Sequence, residues 1–174
     1  MSYERKNKMA EFWDLYDINK NKLGRLHERG LPLNSGEYHL AVEIWVKNSK
    51  NQILLTQRHQ DKPWGNYWEC TVGSVIAGEG SLAGAKRELN EETGIKITDN
   101  QIVFLGVMTT QDWIVDTYIV KLDTHTYNLK LQDGEVINAK WVDIYEFEDM
   151  CSKQVIVPAT INRFNLYRDK INLS

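Results

Sequence analysis

The sequence predicts an α/β (α+β) fold, a mixed β-sheet sandwiched between helices. Two observations carry that expectation. Short runs rich in Val, Ile and Trp, above all Tyr38 to Val46 (YHLAVEIWV) and Trp113 to Leu122, have strand length and strand composition. A helical segment over about 82–93 separates two such sets of strands, and a second closes the chain over about 159–170. Strands, helix, strands, helix is an order that suits one sheet covered on both faces.

The elements follow in order. Phe12 to Tyr16 and Leu23 to His27 read as an N-terminal β-hairpin within about 10–30, turning at 17–21. Asp17, Asn19, Asn21 and Glu28 also match positions 1, 3, 5 and 12 of a calcium-binding loop. Lys22 stands where that loop needs glycine, and no amphipathic helix precedes it, so a hairpin is expected. Residues 30–36 are loop by composition. Tyr38 to Val46 and Gln52 to Gln57 are strands joined by a turn, 60–67 is an aromatic-rich loop, and Trp68 to Val75 leads into the first helix. Ser81 suits its N-cap. Gly84 inside it costs about 1 kcal/mol relative to Ala and suggests close backbone packing. Ile102 to Thr109, Trp113 to Leu122 and Val136 to Val142 are further strands, with a turn at Asp133-Gly134. After Pro158 comes a helix whose Ile161, Phe164 and Tyr167 form an apolar face, with Arg163 and Arg168 as its polar residues. No repeat or linker divides the chain, so one domain over 1–174 is expected.

With 174 residues, 42% hydrophobic and 26% charged, the chain can bury a full core. A net charge of −3 lacks the basic footprint of a nucleic-acid binder. No apolar run approaches the ~18 residues of a membrane span, and the charged N-terminus has no apolar core of a secretory signal. Cys70 and Cys151 are the only cysteines, too few for a disulfide framework or a metal quartet, so a cytoplasmic setting is expected.

The chemistry concentrates between Gly73 and Ile95 (GSVIAGEGSLAGAKRELNEETGI). On a helix Glu91 lies about 60° to one side of Glu88 and Glu92 about 40° to the other. Leu82, Ala85 and Leu89 form a separate apolar seam. Like charges at this spacing repel by a few tenths of a kcal/mol per pair, and acids in a last helical turn oppose the macrodipole by roughly 0.3–1 kcal/mol each. Gly94 suits a C-terminal stop, so that turn is the last. Only Arg87 offers local relief. A solvated acidic face would explain any one of these glutamates. Three beside an arginine and a glycine stop point instead to a hard divalent cation, and Mg²⁺ keeps waters that phosphates can replace.

Gly73, Glu79, Arg87-Glu88-Leu89, Glu91-Glu92 and Gly94-Ile95 fill all nine specified positions of a fixed spacing, and the segment resembles a complete Nudix box. The flanks, strands rich in Val, Ile and Trp before it and GEVINAKWVDIYEF after it, are also similar to that superfamily. The resemblance implies the Nudix fold and hydrolysis of a diphosphate linkage in a nucleoside diphosphate derivative or related small diphosphate. It implies Mg²⁺, with Mn²⁺ as a substitute, and sometimes a homodimer. By position Glu88, Glu91 and Glu92 resemble metal ligands, with Glu88 or another glutamate as general base. Arg87 resembles the arginine that orients a catalytic glutamate. Gly73 resembles the turn where a backbone carbonyl reaches metal, Glu79 a secondary, partly structural acid, and Gly94 the closing glycine. Many such enzymes add a loop carboxylate; Glu135 is the candidate, with Asp133 behind it and a solvated turn residue as the alternative.

Arg58, Trp64, His39 and Trp113 are candidate substrate contacts, the tryptophans for stacking on a base or an isoprenoid chain. For the tryptophans the alternative is core packing, which Trp68 suits best; Arg58, His39 and His59 are phosphate candidates, each with a satisfied surface or core residue as the alternative. The N-terminal half is also similar to the branch containing isopentenyl diphosphate isomerase. Those enzymes place cysteine before the box glycine and histidine after it, where this chain has Val72 and Ser74. Cys70 sits three residues early, and only His39 matches that branch's metal-binding histidines. A non-catalytic nucleotide-binding module is a third reading, opposed by the intact set of box glutamates.

Overall fold

A computed structural model describes residues 10–171; the charged segment 1–9 read above lies outside the described residues. The order is β1 (Phe12–Tyr16), β2 (Lys22–Glu28), β3 (Tyr38–Lys47), β4 (Ile53–Arg58), β5 (Trp68–Glu69), β6 (Thr71–Ser74), α1 (Ser81–Thr93), β7 (Ile102–Thr109), β8 (Trp113–Lys121), β9 (Val136–Val142), α2 (Ile144–Ser152) and α3 (Pro158–Ile171). This is the α+β arrangement expected from the sequence, a mixed sheet with helices.

β3 is the spine. It pairs antiparallel with β1 and β6 and parallel with β8 along its length. Its residues alternate in direction, as a strand must. Leu40, Val42, Ile44 and Val46 join Ala85 and Leu89 of α1 in one core. Trp45 joins Phe147 and Met150 of α2 and Phe164, Tyr167 and Ile171 of α3 in the other. A strand buried on both faces reads as a continuous apolar run, which is how YHLAVEIWV looks.

The sheet is divided. β3 and β4 pair at Lys47–Ile53, the end where their turn joins them. Beyond it β4 pairs with β5 and β9 instead. The segment 68–74 crosses between the halves, first against β4 and then, after Cys70, against β3. Strands joined at one end part at the other, and the segment 68–74 spans the gap between them.

Several sequence readings need adjustment. Ser81 is the first helical residue rather than the cap; Gly80 precedes it in extended conformation, and the Ser81 hydroxyl lies 2.8 Å from the Tyr118 hydroxyl. Leu82 is 37% exposed, so the apolar seam of α1 rests on Ala85 and Leu89. Arg163 belongs to the buried face of α3, ion-paired with fully buried Glu43 of β3. The helix α2 was not anticipated. Its start is set by Asp143, whose carboxylate accepts from the Glu146 amide at 2.9 Å, a cap satisfying an otherwise orphaned donor. The 17–21 segment is a hairpin turn, with the Asp17 carboxylate accepting from the Asn19 and Asn21 amides at 2.9 and 2.8 Å. No described helix is long and apolar enough to cross a membrane.

Candidate active site at the end of the first helix

Helix α1 ends where its sequence says it should. Gly94 takes φ +74°, and its amide bonds the Asn90 carbonyl at 2.8 Å. The chain after the helix then returns to it: Lys130 and Gln132 donate backbone bonds to the Thr93 and Glu92 carbonyls at 2.9 and 3.2 Å. Glu135 follows, and its carbonyl accepts from the His59 amide at 2.9 Å. These bonds tie three segments around one point: the end of α1, the turn at 132–135 and the loop after β4.

Gly73 explains the floor of the site. It pairs with Val42 on β3. A Cβ there would overlap the carboxyl of Glu88, so glycine is what lets the glutamate lie against the strand. Burial raises the Glu88 carboxyl above its ordinary pKa, and the adjacent Arg87 opposes that rise. Arg87 is the organiser. It donates to Glu79 at 2.9 and 3.0 Å, to the Ser74 carbonyl at 2.9 Å, to Glu88 at 2.8 Å and to Glu91 at 3.0 Å. It ties the helix to the end of β6 and to the loop that leads into α1. Gly84 packs tightly for the same reason: a Cβ would stand 3.0 Å from Val75 and 3.1 Å from Glu79.

Glu92 faces inward and is 95% buried, with Oε2 lacking any hydrogen-bond partner. Burial pushes its carboxyl well above the usual carboxylate range, and the charges of Glu69 and Glu88 push the same way. Lys62 and the Thr71 hydroxyl act against them. Glu69, 94% buried, is raised by burial and opposed chiefly by Arg58, its ion-pair partner. Lys62 pairs with Glu135. Glu91 is more exposed; with Arg87, Glu11, Phe12 and Ile76 it lines an open groove of about 430 Å³.

Of the residues singled out in the sequence, Arg87 draws together Glu79, Glu88 and Glu91, Glu88 lies against Gly73, and Glu92 and Gly94 close the helix; Arg58 and Glu135 adjoin this group through Glu69 and Lys62, whose charges act on Glu92. The structure sets His39 and Trp113 elsewhere. His39 alternates with the residues of β3 that face α1. It stacks on Trp13 at 4.0 Å and tilts against its β8 neighbour Trp113 at 4.6 Å. Buried there, His39 has its pKa lowered to about 4 and stays neutral. Trp64 is 52% exposed in the loop after β4, edge-on to Tyr67. Asp133 lies in the tied turn, and Trp68 is half-buried beneath Lys140. Glu69 and Lys62 were missed. Glu69 had a legible signal, an even offset from Gly73 on one extended run. Lys62 had none, since only the loop's path brings it in.

The donors are all oxygen, which suits Mg²⁺ or Mn²⁺. The orphaned Glu92 Oε2 and the missing Cβ at Gly73 fit a bound cation. Among the described residues no group of three or more such side chains is already gathered as a metal site. Arg87 draws Glu88 and Glu91 to itself, and Lys62 holds Glu135.

Comparison with known proteins gives the family and the fold. The model of the NUDIX domain matches residues 37–159. The uncharacterized Nudix hydrolase lmo0368 of Listeria monocytogenes is 34% identical over 150 residues, covering 85% of this chain and 89% of its own. An isopentenyl-diphosphate Delta-isomerase of Escherichia coli is 30% identical over 113 residues, covering 61% and 62%. Among solved structures, the NUDIX domain of Shewanella oneidensis NrtR in complex with ADP ribose superposes with a TM-score of 0.63 at 16% identity, covering 78% and 89%. A family model spanning most of the chain and a relative aligned along nearly its whole length place the chain in the Nudix family, as a hydrolase acting on phosphorus-containing anhydrides.

Proposed function

We propose that the protein is a Mg²⁺-dependent pyrophosphohydrolase, cleaving between two phosphorus atoms of a nucleoside diphosphate derivative or related small diphosphate. The observation that carries this reading is the buried, uncompensated carboxylate of Glu92 beside Glu88 and Gly73, with Glu135 tied alongside. A cation held by Glu88, Glu91, Glu92, Glu135 and a backbone carbonyl near Gly73 would neutralise bridging oxygens and acidify a water. The chain's own residues then position the substrate. Arg58 is pre-aimed by Glu69 and by its bond to the Pro63 carbonyl at 2.7 Å, and it supplies positive charge without having to be ordered. Glu88, made more basic by burial, is the candidate to take the proton of the attacking water. Arg87 holds it in place. Trp64, exposed in the loop after β4, is the candidate to cover the group attached to the diphosphate. The setting proposed is cytoplasmic, with both cysteines free.

The test is a panel of dinucleotides, nucleotide sugars including ADP-ribose, nucleoside triphosphates and prenyl diphosphates, with and without Mg²⁺, products identified by mass. At least one compound should be cut between phosphorus atoms, and Glu88→Gln should remove that activity. Products that differ only in double-bond position would favour the isomerase reading, which the relatives keep in view. Against it, Val72 and Ser74 carry neither a thiol nor an imidazole. A nucleotide that raises the melting temperature without turnover would favour a binding module.

A further inference from the structure

Among the described residues three cations, Arg87, Arg58 and Lys62, adjoin the acidic pocket, and they are held very differently. Arg87 makes bonds to three carboxylates and a carbonyl. Arg58 is 15% exposed, with its guanidinium shared between Glu69 and the Pro63 carbonyl. Lys62 is a flexible ammonium ion-paired to Glu135, both partly open to solvent. Its backbone is fixed, because its amide bonds the His59 carbonyl at 3.1 Å and the His59 amide bonds the Glu135 carbonyl. From that anchor its charge is felt at Glu69 and Glu92 as well as at Glu135.

We propose that Lys62 is an exchangeable counter-ion: it and a divalent cation compete for the Glu135 carboxylate, and the displaced ammonium becomes a ligand for the substrate's diphosphate. This rests on the metal-dependent reading above and deepens it. A carboxylate whose lone pairs point at an ammonium cannot offer them to Mg²⁺, and a dipositive ion at the same place repels the ammonium. Lysine suits such an exchange because its compact charge sits on a four-carbon stem that can swing, whereas an arginine fork held at several points, like Arg58, cannot. The displaced charge has an anion to go to once a diphosphate occupies the pocket.

The experiment is titration of the full-length protein with Mn²⁺ alone, followed by calorimetry and by the electron paramagnetic resonance of free Mn²⁺, in the wild type, Lys62→Met and Glu135→Gln. Removing the competitor should tighten Mn²⁺ binding by roughly tenfold in Lys62→Met, while the steady-state KM for diphosphate substrate rises and kcat changes less. Glu135→Gln should weaken Mn²⁺ binding, and adding Lys62→Met to it should no longer tighten it. Lys62→Met binding Mn²⁺ as the wild type does, or more weakly, overturns the exchange while leaving the hydrolase reading intact. Absence of Mn²⁺ binding by the folded wild type overturns both. A melting curve for each variant separates these outcomes from failure to fold.

Discussion

Glu92 is a buried carboxyl with one oxygen unpartnered, and its effect on stability has a definite sign. Its folded pKa lies above the ordinary 4.5, as burial dictates, so between those values the native protein holds the proton more tightly than the unfolded chain. The favourable contribution is therefore complete below about pH 4.5 and lost as pH rises through the raised value. In EDTA, melting curves should show stability falling with pH over that window. Glu92→Gln should flatten the slope and stabilise the protein at pH 8 by ~1–3 kcal/mol, the usual cost of a buried unsatisfied group. Mg²⁺ should restore the wild type at pH 8 and leave the variant unchanged. Gly73→Ala separates site from scaffold. The nearest atoms to an added Cβ are Cδ, Cγ and Oε2 of the Glu88 side chain, not backbone. Stability should fall by less than ~1 kcal/mol, while displacement of Glu88 should lower kcat by roughly 10²-fold or more, in the range of lost general-base catalysis.

The elements around the pocket differ in how plainly the sequence announces them. Helix α1 was legible almost to the residue, because glycine stops, apolar spacing and acidic crowding all leave marks in a one-dimensional string. Its capping was not: Ser81 is spent on Tyr118 of β8, a partner only the tertiary structure supplies. The loop after β4 is more telling. Trp64 sits at φ +57°, a left-handed conformation that costs a bulky residue about 1–2 kcal/mol. Strain of that kind marks functional segments. Trp64→Gly should relieve it, offsetting the ~0.5–1.5 kcal/mol of the Tyr67 ring contact, so thermal stability should change by under ~1 kcal/mol. If the indole covers the substrate, KM should rise roughly tenfold in the same variant, the loss of one stacking contact worth ~1.4 kcal/mol. An unchanged KM would make Trp64 a surface residue of the loop.

At the scale of the molecule, the two halves of the sheet and the helices that cover them decide what the sequence can reveal. Gly73, Arg87 and the box glutamates were readable because their partners lie within one strand–loop–helix unit. Glu135 was a candidate only through the family's habit of adding a loop carboxylate, and the bonds from 130–132 back to α1, which tie its turn to the helix end, are not legible in the sequence. The strand alternation that sets His39 and its β8 neighbour Trp113 off the face of β3 that packs on α1 is plain only in the structure. The Glu43–Arg163 pair was invisible, since it joins β3 to α3 across the far core. Burial lowers the Arg163 pKa to about 10, the mark of a charge removed from water. Arg163→Met alone should destabilise by ~3–5 kcal/mol through the carboxylate it strands, and Glu43→Leu/Arg163→Met together should recover most of that loss in urea unfolding.

The most direct measurement of the central claim is the anomalous scattering of a crystal soaked in Mn²⁺. The expected peak is bounded by Glu88, Glu92 and the backbone at Gly73, with Glu91 and Glu135 turned toward it and released from Arg87 and Lys62. A peak elsewhere on the protein, with those carboxylates still bound to their arginine and lysine, would contradict that claim.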